Sequence, residues 1–358
     1  MGTAWKLERA WVLPEAAAPR ELWIADGSIV EGPVAGAQTL ASDCWVLPGL
    51  VDAHCHIGLG PDGAVSQETA RAQAKADLAA GVMLIRDAGS PSDTRWIQQD
   101  PTLPRLVRAG RHVARPKRYL RNLGVEVEPD DLVAAVREQA RAGDGWVKLV
   151  GDWIDRSVGD LAPLWPADVA AAAISAAHAE GARVTAHCFG EQSVAELVAA
   201  GIDCIEHGTG LTDDVITQMV ERGTALVPTM VNLARFPLYA APAQEKYPTY
   251  FAHMTDLYAR RRETIGKAIE AGVSLYTGTD AGTVVPHGGI GEEIEEIAAI
   301  AGARYALGAA SWNARPWLGA ANLEVGESAD LLVLEHDPRA DLPSIFAPKA
   351  KLLRGELV

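Results

Sequence analysis

Two histidines stand two positions apart in the segment VDAHCHI, at His54 and His56. If this segment is a β-strand, both imidazole rings lie on one face, because side chains alternate between the two faces of a strand. Neutral imidazole is the commonest side-chain ligand of zinc and similar ions. The pair is therefore compatible with a metal chelate, and also with two core histidines satisfied by hydrogen bonds.

Three further groups of metal-ligating type follow apolar runs. His187 ends ARVTAH, His207 ends IDCIEH, and Asp280 lies in TGTDAGT. A carboxylate in such a place can both ligate a metal and carry protons, so we predict Asp280 as a metal ligand and as the catalytic acid and base. The alternative role for Asp280 is a helix N-cap. Four histidines at one site are hard to explain by packing alone, so the added residues favour a metal centre.

Lys148 lies in the apolar run GWVKLV. A buried ammonium group beside divalent cations would be severely destabilised, so the lysine should lose its proton or be chemically converted. Its reaction with CO₂ gives a carbamate, which is an anionic oxygen ligand able to bridge two metals. The alternative is an ion pair between Lys148 and Asp152 or Asp155.

A repeated unit positions these residues. An Ala-rich helical run ends at Gly, a short apolar strand follows, and a polar residue ends the strand six positions after the glycine. The unit begins at Gly81, Gly181, Gly201 and Gly223. Glycine is the usual residue after a helix, and continuous apolar runs mark strands buried on both faces of a parallel sheet. Within one intervening helical run, Ser193 and Glu196 fit a capping box.

Counting strands of this kind gives eight, which predicts a (β/α)₈ TIM barrel over residues 50–319. The metal-ligating residues then share one mouth, because the carboxyl ends of the strands meet there. The flanks, 1–49 and 320–358, hold short β-prone pieces and are expected to pair into a small β-sandwich. Residues 230–256 are rich in Pro and aromatic residues and are interpreted as a lid or substrate wall. The eight segments are LPGLVDAHCH, VMLIRD, PRLVRAG, GWVKLV, ARVTAH, IDCIEH, TALVPT and GVSLYTGTD.

The order of these motifs resembles the amidohydrolase superfamily: HxH on strand one, Lys on strand four, His on strands five and six, and Asp on strand eight. The segments VLPGLVDAHCH and ESADLLVLEHDP are similar to its imidazolonepropionase and prolidase-like (Xaa-Pro or Xaa-Arg dipeptidase-like) branch. The resemblance implies that His54, His56 and Asp280 hold one metal, that His187 and His207 hold the other, and that carboxylated Lys148 and a hydroxide bridge them. Five protein ligands and a carbamate exceed the needs of one tetrahedral ion, so two divalent ions, zinc in our expectation, are predicted.

The resemblance implies hydrolysis of an amide bond in a small molecule that is dipeptide-like or an N-acyl amino acid. Dipeptidase-like relatives carry Gly-rich turns where this chain has LVGDWIDR and HVARPKRYLRNLG, so a different pocket is expected. A cationic loop in an acidic chain suggests that it contacts an anionic substrate, or else that it only balances charge. The candidate substrate contacts are His112, Arg115, Lys117, Arg118, Tyr119, His253 and His287.

Other functions stay open at this point. A mononuclear deaminase, or a hydrolase of cyclic amides, lactones or esters, would use the same strand ends, although deaminase-like relatives generally lack the lysine. A non-catalytic metalloprotein is a more distant alternative. Gly58, Gly60 and Gly63 match GxGxxG, with Asp87 further along, as in a dinucleotide-binding fold. Pro61 and the two histidines in the preceding strand argue against that interpretation.

Composition limits the partners. The chain of 358 residues has 32 basic and 47 acidic residues, a net charge of −15, so nucleic acids and anionic membranes would be repelled. Four cysteines without a CxxC pair suit a reducing cytoplasm rather than a disulfide framework. No export signal or membrane span is recognised. A small-molecule substrate is expected, and a homo-oligomer is left open.

Overall fold

The computed structural model describes residues 3–358. Its strands are β1 Trp5–Val12, β2 Arg20–Ala25, β3 Ser28–Val30, β4 Gln38–Pro48, β5 Leu50–Cys55, β6 Leu59–Gly60, β7 Gly63–Ala64, β8 Val82–Asp87, β9 Arg105–Arg108, β10 Val113–Ala114, β11 Val125–Glu126, β12 Trp146–Val150, β13 Asp152–Asp155, β14 Asp160–Pro163, β15 Arg183–Cys188, β16 Cys204–His207, β17 Ala225–Val227, β18 Leu331–Leu334, β19 Ala350–Leu353 and β20 Glu356–Leu357.

The α-helices are α1 Gln67–Ala79, α2 Leu132–Ala142, α3 Ala167–Ala179, α4 Glu191–Ala199, α5 Asp213–Arg222, α6 Met230–Leu233, α7 Phe236–Ala240, α8 Pro248–Ala271, α9 Ile290–Ala301, α10 Ala303–Ala310 and α11 Ala314–Trp317. Short 3₁₀ helices span Arg95–Gln99, Pro129–Asp131, Ala241–Ala243 and Leu342–Phe346. No helix within residues 3–358 combines the length and the apolar character that a membrane crossing requires.

The glycines of the repeated unit have the backbone conformation that the sequence predicted. Gly81, Gly181, Gly201 and Gly223 have φ angles of 92°, 78°, 86° and 72°, in the left-handed region that favours glycine. Each is followed by one of the parallel strands β8, β15, β16 and β17. The glycine-to-strand signal is therefore confirmed, and it sets where each strand begins.

Parallel strands and helices alternate through the central part of the chain. β5, β8 and β9 form one sheet, while β10, β12, β15, β16 and β17 pair in that order in a second sheet, with β11 at the edge of β10. The segment 274–281 joins the two sheets: Leu275 bridges Leu226 of β17, and Ala281 bridges Cys55 of β5. A continuous hydrogen-bonded ring of eight strands is not detected among the described residues, so full closure of the barrel stays a prediction.

The flanks form one seven-stranded sheet in the order β20-β19-β18-β4-β1-β2-β3. β18 pairs antiparallel with β4, for example Leu332 with Leu47, so the two ends of the chain are joined as expected. Leu7, Val46 and Leu331 are fully buried in a hydrophobic cluster of this sheet. The pairing of the flanks is confirmed, whereas the predicted sandwich of two sheets is not.

Two local motifs have a different structure from the one that they suggested. Gly60 and Gly63 lie in the small antiparallel hairpin β6–β7. A dinucleotide site needs the N-terminus of a helix at these glycines, but α1 begins only after its cap Ser66. The dinucleotide-binding interpretation is therefore wrong. The capping box at Ser193 is also wrong, because α4 begins at Glu191 and is capped by Gly190.

Candidate metal centre

The first group of predicted ligands meets at the carboxyl end of β5. Nε2 of His54 lies 3.2 Å from Nε2 of His56, and both lie close to Oδ1 of Asp280, at 3.1 and 3.0 Å. Both histidines are almost completely buried. Nδ1 of His56 donates to the carbonyl of Gly89 at 2.7 Å, which fixes the ring and directs Nε2 toward the cluster.

The second group lies beside the first. Nδ1 of His187 is 3.0 Å from Nε2 of His207, and the rings of His207 and His54 are 5.4 Å apart. Thr229, which follows the next strand, places its Oγ1 2.6 Å from Nδ1 of His207. The structure therefore brings the five histidine and aspartate positions predicted from the sequence into one strand-end cluster: His54, His56, His187, His207 and Asp280.

Backbone conformation contributes to this convergence. His207, Thr229 and Asp280 have φ angles of 67°, 49° and 58°, a region that non-glycine residues seldom adopt. Gly278 and Gly282 stand on either side of Asp280, and a Cβ at either position would lie 2.7 to 2.8 Å from the Cβ atoms of His54 and His56. The segment TGTDAGT thus needs glycine at both positions so that it can lie against β5.

The electrostatics favour neutral imidazoles and an ionised carboxylate. Burial, with the charge of Lys148 as a second cause, lowers the pKa of His54 well below its usual range and lowers that of His187 to about 3. Burial opposes ionisation of Asp280, but His54 and His56 overcome it and hold its pKa well below the usual range. The histidines therefore present lone pairs, as metal ligands must.

Lys148 is buried beside the cluster, and its partner is one that the sequence interpretation missed. Its Nζ contacts Oε2 of Glu206, the residue before His207, and Glu206 also accepts from Arg86 at 3.2 Å and Thr185 at 2.8 Å. Burial lowers the pKa of Lys148 to about 7.

The alternative prediction, an ion pair between Lys148 and Asp152 or Asp155, is wrong. Asp155 pairs with Arg118, and Asp152 accepts hydrogen bonds from backbone N–H groups.

Two buried aspartates, Asp152 and Asp52, accept hydrogen bonds from backbone groups next to the cluster histidines. Asp152 accepts from the N–H groups of Phe189 and Gly190, at 2.9 and 2.7 Å, and so fixes the turn after His187. Asp52 accepts from the N–H of His54 and from the hydroxyl of Thr279, at 3.1 and 2.6 Å. Burial raises the pKa of each aspartate to about 7. The sequence signal of Asp52 is a carboxylate placed between the apolar residues Val51 and Ala53 of β5.

A pocket of about 280 Å³ opens onto the cluster. Its aromatic wall consists of Tyr119, Trp153, Phe189, Tyr239 and Tyr250. The segment 230–256, predicted as a lid or wall, supplies the last two of these together with Asn232 and Met254. The other lining residues are His56, Leu59, His112, Leu120, Leu123, His187, Asp280, Thr283 and Val284.

Of the predicted substrate contacts, only His112 and Tyr119 line the pocket. The ring of His112 is completely buried, neither of its nitrogens has a hydrogen-bond partner, and it lies 4.9 Å from the ring of His56. Burial lowers the pKa of His112 well below its usual range. The ring therefore lines the pocket as a neutral imidazole whose nitrogens have no hydrogen-bond partner.

The predicted role of the arginines is not supported by their positions. Arg118 donates to Asp155 at 2.7 Å and to the carbonyls of Trp153 and Ala162, so it fastens the loop to the hairpin β13–β14. Arg115 pairs with Glu128 at 3.2 Å. Neither side chain lines the pocket, because each is engaged by partners outside it. Lys117 is exposed and does not line the pocket either.

The two remaining histidines also lie outside the pocket lining. His253 is held between Asp160 and Glu191, at 3.0 and 2.9 Å, and these bonds raise its pKa to about 9. His287 pairs with Asp77 of α1 at 2.9 Å and so ties the segment after Asp280 to that helix. The ion pairs of His253 and His287 therefore give both residues a structural role in place of the substrate contact predicted for them.

The donor set fits divalent metal ions. Ligand atoms of His54, His56 and Asp280 all lie within 4.8 Å of one another. Nε2 of His187 and Nδ1 of His54 are buried without hydrogen-bond partners. Imidazole and carboxylate ligands suit zinc and similar ions, and converging neutral imidazoles gain little from each other without a cation.

Comparison with known proteins identifies the family of the chain. The Amidohydrolase family matches residues 45–352. An uncharacterized protein of Mycobacterium tuberculosis (strain ATCC 25618 / H37Rv) is 56% identical over 337 residues, covering 94% of this chain and 91% of the relative.

Solved structures show the same TIM-barrel-like α/β fold. A Xaa-Pro dipeptidase with bound methionine in the active site superposes with a TM-score of 0.82 at 22% identity, covering 99% of this chain and 100% of that chain. A prolidase complexed with N-methylphosphonate-L-proline has a TM-score of 0.82 at 23% identity, and 99% of each chain is covered. The chain belongs to the amidohydrolase family and is a hydrolase of that type.

Proposed function

We propose that this hydrolase is metal-dependent and cleaves the amide bond of a small substrate of the dipeptide-like or N-acyl class. The single observation that carries the proposal is the convergence of His54, His56, His187, His207 and Asp280 at one end of a pocket of about 280 Å³. A pocket of that size accepts a small molecule rather than a folded protein. Similar structures bind methionine and an N-methylphosphonate-L-proline, which supports a small substrate.

The metal complement belongs to the same proposal. His54, His56 and Asp280 would hold one divalent ion and His187 and His207 a second, with zinc as the expected metal and carboxylated Lys148 shared between them. Lys148 is buried at the cluster with a pKa lowered to about 7, which provides the neutral amine that reacts with CO₂. When bound, such ions polarise a carbonyl and lower the pKa of water.

The side chains of the chain then divide the remaining work. Asp280, ionised at neutral pH, accepts a proton from the attacking water and returns it to the leaving nitrogen. His112 and Tyr119 line the pocket and donate hydrogen bonds to the substrate. Asp152 and Thr229 hold the turn after His187 and the ring of His207 in place.

We also propose the domain boundaries given by the sequence, with residues 1–49 and 320–358 in one unit and 50–319 in the catalytic unit. One hydrophobic cluster that consists only of flank residues, including Leu7, Val46 and Leu331, supports this division, while other flank residues such as Leu47 and Leu332 pack into the main core. The catalytic residues all fall within the second unit.

The test combines elemental analysis with one substitution. Protein saturated with zinc should retain two ions per chain, and Asp280→Asn should lower kcat by ~10²- to 10⁴-fold while keeping most of the metal. Asp256→Asn, at an exposed position of α8, is the matched control. One ion per chain with full activity would reject the binuclear site, and an active Asp280→Asn would reject the role of Asp280. Release of ammonia from an amidine, without amide cleavage, would favour a deaminase.

A further inference from the structure

We propose that the substrate group held by the aromatic wall is neutral and apolar or aromatic, so that the preferred substrate is an N-acyl amine without a carboxylate. This inference rests on the proposed amide hydrolysis and names its substrate class. The observation that carries it is the pocket lining. The lining includes the aromatic wall, four aliphatic side chains and Met254. None of the lysines or arginines of the described residues 3–358 belongs to it.

Nearby cations are held elsewhere. The guanidinium of Arg118 already donates to the Asp155 carboxylate and to two backbone carbonyls. Arg115 donates to Glu128 and to the carbonyl of Leu164. To meet a substrate carboxylate, either arginine would have to leave these partners. The loop that supplies positive charge in the sequence therefore supplies Tyr119 and Leu120, but no cation, to the pocket.

The polar groups that do reach the pocket suit a neutral ligand. His112 presents ring nitrogens without partners, and Tyr119 and Asn232 add a hydroxyl and an amide. These groups bind a carbonyl oxygen or an amide N–H. A carboxylate placed against the aromatic wall would lose its hydration without gaining an opposite charge, which is strongly unfavourable.

A matched pair of substrates tests the inference on the zinc-loaded full chain. N-acetyl-2-phenylethylamine and N-acetyl-L-phenylalanine differ only in the carboxylate beside the scissile amide. We expect kcat/KM for the neutral compound to be higher by ~10-fold or more. Equal values, or a preference for the acid, would overturn the inference while leaving amide hydrolysis standing.

A binding measurement separates this inference from the proposed function. In the ketomethylene isosteres of the same pair, CH₂ replaces the scissile nitrogen, so neither compound can be cleaved. Calorimetry should show the neutral isostere binding ~10-fold more tightly, and tighter binding of the acid would contradict the inference. If neither amide is hydrolysed, the isosteres still decide which group the wall accepts, so the two proposals can fail separately.

One side chain of the pocket allows the preference to be reversed. Leu120 lines the pocket and is 42% exposed, so it tolerates a polar replacement. Leu120→Lys should raise kcat/KM for the acid relative to the neutral amide by ~10-fold, whereas Leu120→Gln should not. Identical selectivity in the two variants would show that the substrate does not present its carboxylate to this wall, and would count against the inference.

Discussion

The strand-end cluster and the aromatic wall meet in one pocket but are built in different ways. The cluster residues His54, His187 and His207 lie within the strands β5, β15 and β16, whose backbone hydrogen bonds fix their positions. Apart from Phe189, which directly follows β15, the wall is supplied by a loop, a hairpin and the helical segment 230–256, which are held by side-chain contacts such as Arg118 to Asp155. The three histidines are therefore positioned by strand backbone, whereas most of the wall is positioned by tertiary contacts between loops.

The two regions should respond differently to mutation. A change in the cluster should alter metal content and rate, because a ligand or its support is lost. A change in the contacts behind the wall should alter stability and KM, because the ligands stay in place.

The largest effect is expected for Lys148→Ala. This variant should bind less metal, and its kcat should fall by more than ~100-fold. The physical reason is loss of the carbamate that would be shared by both ions. Elemental analysis and initial rates measure the outcome, with Lys267→Ala, at an exposed lysine of α8, as the control.

A double variant separates this role from a simple ion pair. Lys148 contacts Glu206, so Lys148→Ala also leaves a buried carboxylate with one partner fewer. Lys148→Met with Glu206→Gln removes both charges. Recovery of metal and rate in the double variant, or wild-type behaviour of Lys148→Ala, would reject the carbamate.

Thr229→Val should lower metal affinity or activity by ~10- to 100-fold, the usual range for a group that orients a ligand. The replacement keeps the shape and branching of the side chain but removes the hydroxyl that lies 2.6 Å from His207. The control is Thr255→Val, which removes a hydroxyl that donates a hydrogen bond to the backbone carbonyl of Phe251 in α8. Metal titration with wild-type affinity and an unchanged rate would show that His207 needs no such support.

Arg118→Met should lower the free energy of unfolding by ~1 to 2 kcal/mol, since a charged hydrogen bond and two bonds to carbonyls are lost from a partly exposed site. Metal content should not change. Denaturant titration gives the stability, and kinetics should show a raised KM for neutral substrates as the wall loosens. A selective loss of activity toward acidic substrates would instead indicate that Arg118 contacts the substrate.

The smallest effect concerns His253, whose pKa is raised to about 9 by Glu191 and Asp160. A raised pKa in the folded state contributes stability in full below the unfolded value of ~6.5, and that contribution is lost as pH rises through about 9. His253→Gln should therefore be destabilised relative to wild type by at most ~1 kcal/mol near pH 6, because the site is partly exposed and its ion pairs are screened by solvent. Near pH 10 the difference should vanish, and a difference independent of pH would contradict the assignment.

The sequence predicted residues whose position depends on strand register. The HxH pair and the polar residues six positions after Gly181 and Gly201 could be placed because side chains alternate and glycine marks the helix end. Eight segments could likewise be counted, although the eighth, 274–281, forms only isolated bridges instead of a strand.

Side-chain partners from distant segments could not be predicted in the same way. Glu206 is recognisable as a charge in an apolar strand. Its contacts with Arg86 and Lys148 join β16 to β8 and β12, which are not its neighbours in the sheet order, so local sequence could not reveal them. Arg118 looked available in the sequence, and only the folded hairpin shows that it is occupied. Ser193 fitted a capping pattern locally, but α4 begins two residues earlier.

The left-handed backbone of His207, Thr229 and Asp280 has a consequence for the thermal robustness of the enzyme. Each such residue costs ~1 to 3 kcal/mol in a domain whose whole stability is ~5 to 15 kcal/mol. The cluster therefore weakens the fold that holds it, and the helices and the flanking sheet must offset that loss. Selection for heat resistance alone would favour glycine at these three positions and would yield a sturdier but inactive protein.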